Sequence, residues 1–150
     1  MGIVIRSVSI LILTAVGGAL AGVGLPRAGT SIRGSAARTF AMCHTGGGTN
    51  CVVDGDTAWI DGVKVRVADN DAPETHPPHC ASEADLGRRA TERLAELMNA
   101  GPFEMTTIDR DEDHYGRKLR VLTRRGRSLG DQLVTEGLAR TWDGRRHPWC

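Results

Sequence analysis

Two short β-prone runs, Thr57–Ile60 and Val63–Ala68, are joined by the dipeptide Asp61-Gly62. A two-residue Asp-Gly link asks for positive φ at both positions, which commits the flanking runs to an antiparallel hairpin. Val63, Val65 and Val67 alternate with Lys64, Arg66 and Ala68, so one face is predicted to enter a core and the other to present two cations. The prolines at 73, 77 and 78 make Asp69 to Pro78 a loop. Ser82 with Asp85 reads as a capping box. Behind it Leu86, Ala90, Leu94, Leu97 and Met98 recur at helical spacing until Gly101-Pro102. Glu104–Asp109 and Lys118–Thr123 read as strands, Ser128 with Asp131 caps a short helix ending at Gly137, and Ala139–Trp142 is a last strand. Strands, helix, strands, helix and strand in that order suit an α+β architecture. The expectation is a five-stranded β-barrel of the OB type with two or three packed α-helices.

Charge narrows the functional classes. The formal net charge is +1 and only 4% of residues are aromatic, which excludes nucleic-acid binding by bulk positive charge or by a broad stacking platform. The distribution is uneven. No Asp or Glu precedes Asp54, residues 51–109 carry 12 acidic and 5 basic side chains, and residues 110–150 carry 10 basic and 6 acidic ones. One half can hold a cation and the other can face an anion.

Upstream of the hairpin, Arg6 precedes an uncharged apolar stretch that runs to Pro26 and contains Ala19-Leu20-Ala21. This predicts a secretory signal over residues 1–21. Residues 7–25 also approach the ~20 residues that span a bilayer, so an uncleaved anchor is the alternative. Translation starting at Met42 is a third reading. Residues 22–50, rich in Gly, Ala, Ser and Thr, are expected to be a flexible linker, with the folded domain over 51–150. Secretion or a periplasmic location follows from the signal, and membrane anchoring from the alternative.

Four cysteines, Cys43, Cys51, Cys80 and Cys150, suit an exported protein. They allow three connectivities, of which Cys43–Cys51, closing a Gly-rich loop, and Cys80–Cys150, tying down the C-terminus, are favoured. A zinc site from Cys43, His44, His76, His79 and Cys80 competes, but zinc spacings are not met cleanly.

Two acidic clusters carry chemistry. Asp54-Gly55-Asp56-Thr57 precedes the hairpin, and Asp69, Asp71 and Glu74 follow it. The hairpin would bring both to one end of the sheet, where gathered carboxylates repel unless a cation lies among them. Oxygen ligands suit Ca²⁺ or Mg²⁺. The bland alternative is that Asp-Gly pairs merely form turns. Arg66 and Arg117 have the planar fork that suits a phosphodiester, although a surface Arg is more often only solvated.

Three segments in order then become specific: Val53-Asp54-Gly55-Asp56-Thr57, Val65-Arg66-Val67-Ala68-Asp69-Asn70-Asp71-Ala72-Pro73-Glu74-Thr75, and Tyr115-Gly116-Arg117. Together they resemble the thermonuclease, or staphylococcal-nuclease-like, family from about Cys51 to Trp142. That resemblance implies an OB-fold and a Ca²⁺-dependent endonuclease that cleaves DNA and RNA and leaves 3′-phosphate ends. By position, Asp56, Asp71 and the backbone carbonyl of Ala72, where the family often has Thr, would bind Ca²⁺, with Asp54 behind them. Glu74 would orient or deprotonate the attacking water, Arg66 and Arg117 would grip the phosphate, and Tyr115 would touch the nucleotide. The acidic balance of residues 51–150 departs from the basic charge of the family's best-known member. A monomer is expected, with no protein partner.

Other residues keep two readings. His76 and His79 could touch substrate or be idle loop histidines. Trp142 and Trp149 could stack on bases or pack against the barrel, and the Asp109–Asp113 run could be a solvated loop or bind a second ion. The rival for the whole chain is a non-catalytic OB-fold module that binds nucleic acid or protein.

Overall fold

A computed structural model describes residues 32–33, 38–44 and 47–150; the segments read as signal peptide or anchor lie outside them. Within these residues the strands are β1 (Ile32–Arg33), β2 (Ala41–Met42), β3 (Cys51–Asp54), β4 (Thr57–Ile60), β5 (Val63–Val67) and β6 (Asn70–Asp71). Helix α1 (Ala81–Asn99) follows, then β7 (Glu104–Glu112), β8 (Lys118–Arg124), β9 (Arg127–Ser128), α2 (Leu129–Thr135) and β10 (Arg140–Thr141). No helix among the described residues is long and apolar enough to cross a membrane.

The Asp-Gly hairpin forms, with φ of 51° at Asp61 and 79° at Gly62, and pairs Thr57 with Arg66 and Ile60 with Val63. Both central residues are left-handed, as a primed two-residue turn requires. The predicted alternation is only half realised. Val65 and Val67 are buried, but Val63 beside the turn is exposed, and Arg66 is buried rather than displayed. Its guanidinium is turned inward by the carboxylates described below.

The five longest strands lie in the order β7-β8-β5-β4-β3, with β1 and β2 at the edges and β9 paired to β8. All pairs among the five are antiparallel except β5–β8. With α1 and α2 they enclose one core that includes Ile60, Val67, Leu94, Leu122 and Leu133, which is the expected OB-type arrangement with two helices.

Several expected boundaries move. Order does not begin at Cys51. Phe40 is buried against Phe103 with ring centroids 5.8 Å apart, and Asn99 bonds both its N–H (2.8 Å) and its carbonyl (2.9 Å). Cys43 N–H donates to the Val52 carbonyl at 2.9 Å. Residues 38–44 and 47–50 therefore belong to the folded unit rather than to a linker. Helix α1 is capped by extended Cys80 with no side-chain acceptor, not by Ser82. The disulfide fixes the chain at Cys80, and Asp85 is engaged by Arg88 and Arg89 instead. Strand β7 runs on through the acidic stretch because Glu112 pairs with Lys118 across a register shift. Helix α2 starts as expected, with Ser128 Oγ accepting from Asp131 N–H at 3.1 Å.

The disulfides are Cys43–Cys51 and Cys80–Cys150. The second closes a separation of 70 residues and draws the end of the chain back over the loop before α1.

Candidate active site

The two acidic segments meet because glycine lets them. A Cβ at Gly55 would stand 2.7 Å from the Cβ atoms of both Ala72 and Ala90, so the Asp54–Asp56 turn slots between the 70–72 segment and α1 only without a side chain. Asn70 Nδ2 donates to the Gly55 carbonyl at 3.0 Å, and Ala72 N–H donates to Asp56 Oδ2 at 3.0 Å. Within the turn, Asp56 N–H donates to Asp54 Oδ1 at 3.1 Å. The stretch expected to be pure loop contains β6, which pairs antiparallel with β10 and sets Asp71 opposite Arg140.

Asp54, Asp56 and Asp71 are all buried. Asp56 is well supplied: Oδ1 accepts from Thr57 Oγ1 at 2.9 Å, and Oδ2 lies 3.1 Å from Arg66 Nη1. Asp71 is not. Neither of its buried carboxylate oxygens has a hydrogen bond, and its nearest cations, Arg66 Nη2 and Arg146 Nε, stand 3.8 and 3.9 Å from Oδ1. Burial pushes the Asp54 carboxyl well above the usual carboxylate range, and the neighbouring Asp56 pushes it further. Burial also raises Asp71, with the Arg146 guanidinium opposing the shift and the Asp56 charge adding to it. A buried carboxylate short of donors is expensive and invites a cation.

Glu74 sits at the mouth of this cluster. Its Oε1 accepts from the backbone N–H groups of Thr75 (3.1 Å) and His76 (3.3 Å), while Oε2 lies 3.5 Å from Arg146 Nη1 and is otherwise free to face a reactant. Arg117 is aimed by Asp113, which accepts from Arg117 Nε at 2.7 Å and from Arg117 N–H at 3.0 Å. From there Arg117 Nη1 reaches Thr57 Oγ1 at 3.4 Å, the hydroxyl that itself donates to Asp56. A cleft of about 360 Å³ is lined by Arg66, Arg117, Tyr115, Trp142, Ile108 and Arg146. Tyr115 is 72% exposed on its rim, with the Arg117 guanidinium 5.4 Å from its ring centre. Trp142 lies at a similar distance from Arg66, 5.5 Å.

The structure thus brings Asp54, Asp56, Arg66, Asp71, Ala72 and Glu74 together and sets Arg117 and Tyr115 along the adjoining cleft. The His76 and His79 imidazoles pair with other groups: His76 Nδ1 is 2.7 Å from Thr75 Oγ1 and His79 Nδ1 is 2.9 Å from Glu83 Oε2. Three contributors escaped the sequence reading. Asp113, read as part of a solvated run, orients Arg117. Buried Glu83 accepts from the backbone N–H of His79 and Glu74 and holds the loop that carries Glu74. Arg146 faces three carboxylates from the C-terminal segment.

A divalent cation fits the donor set. Among the described residues no three His, Cys, Asp or Glu side chains group closely enough to hold a metal by themselves. Two carboxylates completed by a main-chain carbonyl is a different arrangement, and the unpartnered oxygens of Asp71 are the observation in its favour.

A family model described as staphylococcal nuclease homologue matches residues 64–148. The chain belongs to that family. The match takes in Arg66, Asp71, Glu74, Tyr115, Arg117 and Arg146 and begins after Asp54 and Asp56. The chain is similar to "Endonuclease YncB" of Bacillus subtilis (strain 168), 37% identical over 93 residues that make up 59% of this chain and 44% of that protein. It is also similar to "SPbeta prophage-derived endonuclease YokF" of the same organism, 36% identical over 93 residues, 59% of this chain and 31% of the relative. The chain therefore spans less than half the length of these curated relatives.

Proposed function

We propose that this chain is an exported, monomeric, Ca²⁺-dependent endonuclease that hydrolyses phosphodiester bonds in DNA and RNA and leaves 3′-phosphate ends. The observation that carries the reading is the convergence of Asp56, Asp71, Glu74 and Arg66 at one mouth of the barrel, with Arg117 beside them. Family membership and the endonuclease names of two relatives support it. The two disulfides favour an oxidising compartment.

Asp56, Asp71 and the Ala72 carbonyl would hold the cation, and Asp54 would fix the turn that presents Asp56. When bound, the cation supplies charge neutralisation for the phosphoryl oxygens. Arg66 and Arg117 take up the remaining negative charge, and the ion pair of Arg66 with Asp56 and the hydrogen bond of Arg117 to Asp113 keep the reorganisation small. Glu74 Oε2 positions a water for in-line attack on phosphorus and accepts its proton. The P–O5′ bond breaks and the 5′ oxygen leaves, taking up a proton from solvent to become a hydroxyl, so the phosphate stays on the 3′ side. Tyr115 contacts the nucleotide from the rim of the cleft.

A nuclease zymogram run with Ca²⁺ and with chelator tests the reading. A cleared band that vanishes on chelation is expected; no clearing under either condition would reject it.

A further inference from the structure

Of the guanidiniums set against the carboxylates of the site, Arg146 is the one held least tightly. Arg66 is buried, with one nitrogen shared between Asp56 and the Val67 carbonyl. Arg117 has its Nε held by Asp113 and its Nη1 3.4 Å from Thr57 Oγ1. Arg146 is 46% exposed, and its nitrogens stand 3.5 Å from Glu74 Oε2, 3.9 Å from Asp71 Oδ1 and 4.0 Å from Asp56 Oδ2. These are longer than the ~2.7–2.9 Å of charge-assisted hydrogen bonds. The group is attracted to the site without being locked into it.

The segment that carries it is built to stay there. Trp142 N–H donates to the Asp69 carbonyl at 3.1 Å, and Asp143 accepts from Arg145 N–H at 3.3 Å and pairs with His147 Nε2 at 2.8 Å. Arg140 donates to the Pro148 carbonyl at 3.1 Å and lies 3.7 Å from the Trp149 ring centre. Cys150 then bonds Cys80 at the start of α1. The disulfide turns residues 143–150 into a strap across the loop from Glu74 to Cys80.

We infer that Arg146 is a third substrate-binding residue, contacting a phosphate of the nucleic-acid backbone from the strap, and that the Cys80–Cys150 disulfide is the element that positions it. The inference rests on the nuclease reading above. It adds a tertiary requirement: phosphate binding at this site depends on an oxidised strap. The planar fork can serve a phosphate oxygen while its charge still lies near the carboxylates, which a lysine does less well.

The test is a fluorescence-anisotropy titration of a short fluorescein-labelled single-stranded oligodeoxynucleotide with the full chain in chelator, where no cleavage confuses binding. Arg146→Ala is expected to weaken binding about fivefold and to flatten the plot of log affinity against log salt by about 0.7. Arg146→Lys should restore the salt slope and only part of the affinity. The Cys80→Ser/Cys150→Ser double variant, checked for folding by circular dichroism, should lose affinity as Arg146→Ala does. Wild-type affinity in Arg146→Ala would overturn the inference. So would unchanged oligonucleotide affinity with tighter Ca²⁺ binding, which would make Arg146 only a counter-ion of the carboxylates. Arg66→Ala separates the two levels. If Arg66→Ala weakens binding and Arg146→Ala does not, only this inference fails. If the wild-type chain neither binds in chelator nor clears the zymogram with Ca²⁺, the nuclease reading fails with it.

Discussion

Glu83 and Asp71 are equally buried carboxylates, 3% and 2% exposed, and the protein treats them in opposite ways. Glu83, in the first turn of α1, accepts from His79 N–H, from the Glu74 N–H at 3.3 Å and from His79 Nδ1 at 2.9 Å. The His79 backbone bond, above all, holds its carboxyl below the usual glutamate range. Asp71, on β6, has no hydrogen bond to either oxygen, and burial holds its carboxyl above the usual range. A fully bonded buried charge organises a loop. One left short of donors destabilises the fold by itself and stabilises whatever cation it captures. The contrast sets a loop anchor beside the proposed cation ligand within a few residues of Glu74.

The contrast can be broken most forcefully at Glu74 itself, which hangs from the Glu83 side and faces the Asp71 side. Glu74→Gln should lower the cleavage rate by about 10²–10⁴-fold while calorimetric Ca²⁺ binding persists; a rate near wild type would remove Glu74 from the chemistry. Asp71→Asn should cost more than about a hundredfold in rate with no loss of stability in chelator, measured by urea unfolding. A destabilised Asp71→Asn would instead place Asp71 in the scaffold. Glu83→Gln inverts that pattern, since stability should fall by about 1–3 kcal/mol and the rate should change less than in either other variant.

The smallest effect is in the acid dependence of urea unfolding without metal. Asp71 has a raised carboxyl, so the folded state gains stability as pH falls through that raised value and loses it again as pH climbs. Glu83 has a lowered one, so its contribution persists on acidification and disappears only as pH drops below the ordinary 4.5. The gap between wild type and Asp71→Asn should therefore move in wild type's favour on mild acidification. The gap between wild type and Glu83→Gln should stay constant until stronger acid closes it.

How much could be read in advance follows from how far each interaction reaches along the chain. The Asp61-Gly62 turn is decided by two adjacent backbone angles, so its register was legible. The carboxylates lie in two contiguous motifs joined by that hairpin, so their meeting was legible too, as was Ser128 capping α2. Strand alternation puts Arg66 on an open face, because it is blind to a buried carboxylate across the turn. Two residues of β6 are too few to show a period, and their partner β10 lies about seventy residues on. Arg146 stands 72 residues from Glu74 with no local motif, and only the Cys80–Cys150 pairing hinted that the chain end returns to this loop. Phe40 was hidden by the small and polar residues around it, although Asn99 anchors it firmly.

Calorimetric titration of Ca²⁺ into the wild-type chain and into Asp71→Asn tests the cation site most directly. The account predicts one Ca²⁺ per wild-type chain and no measurable binding to the variant. Equal binding by both chains, or none by the wild type, would contradict it.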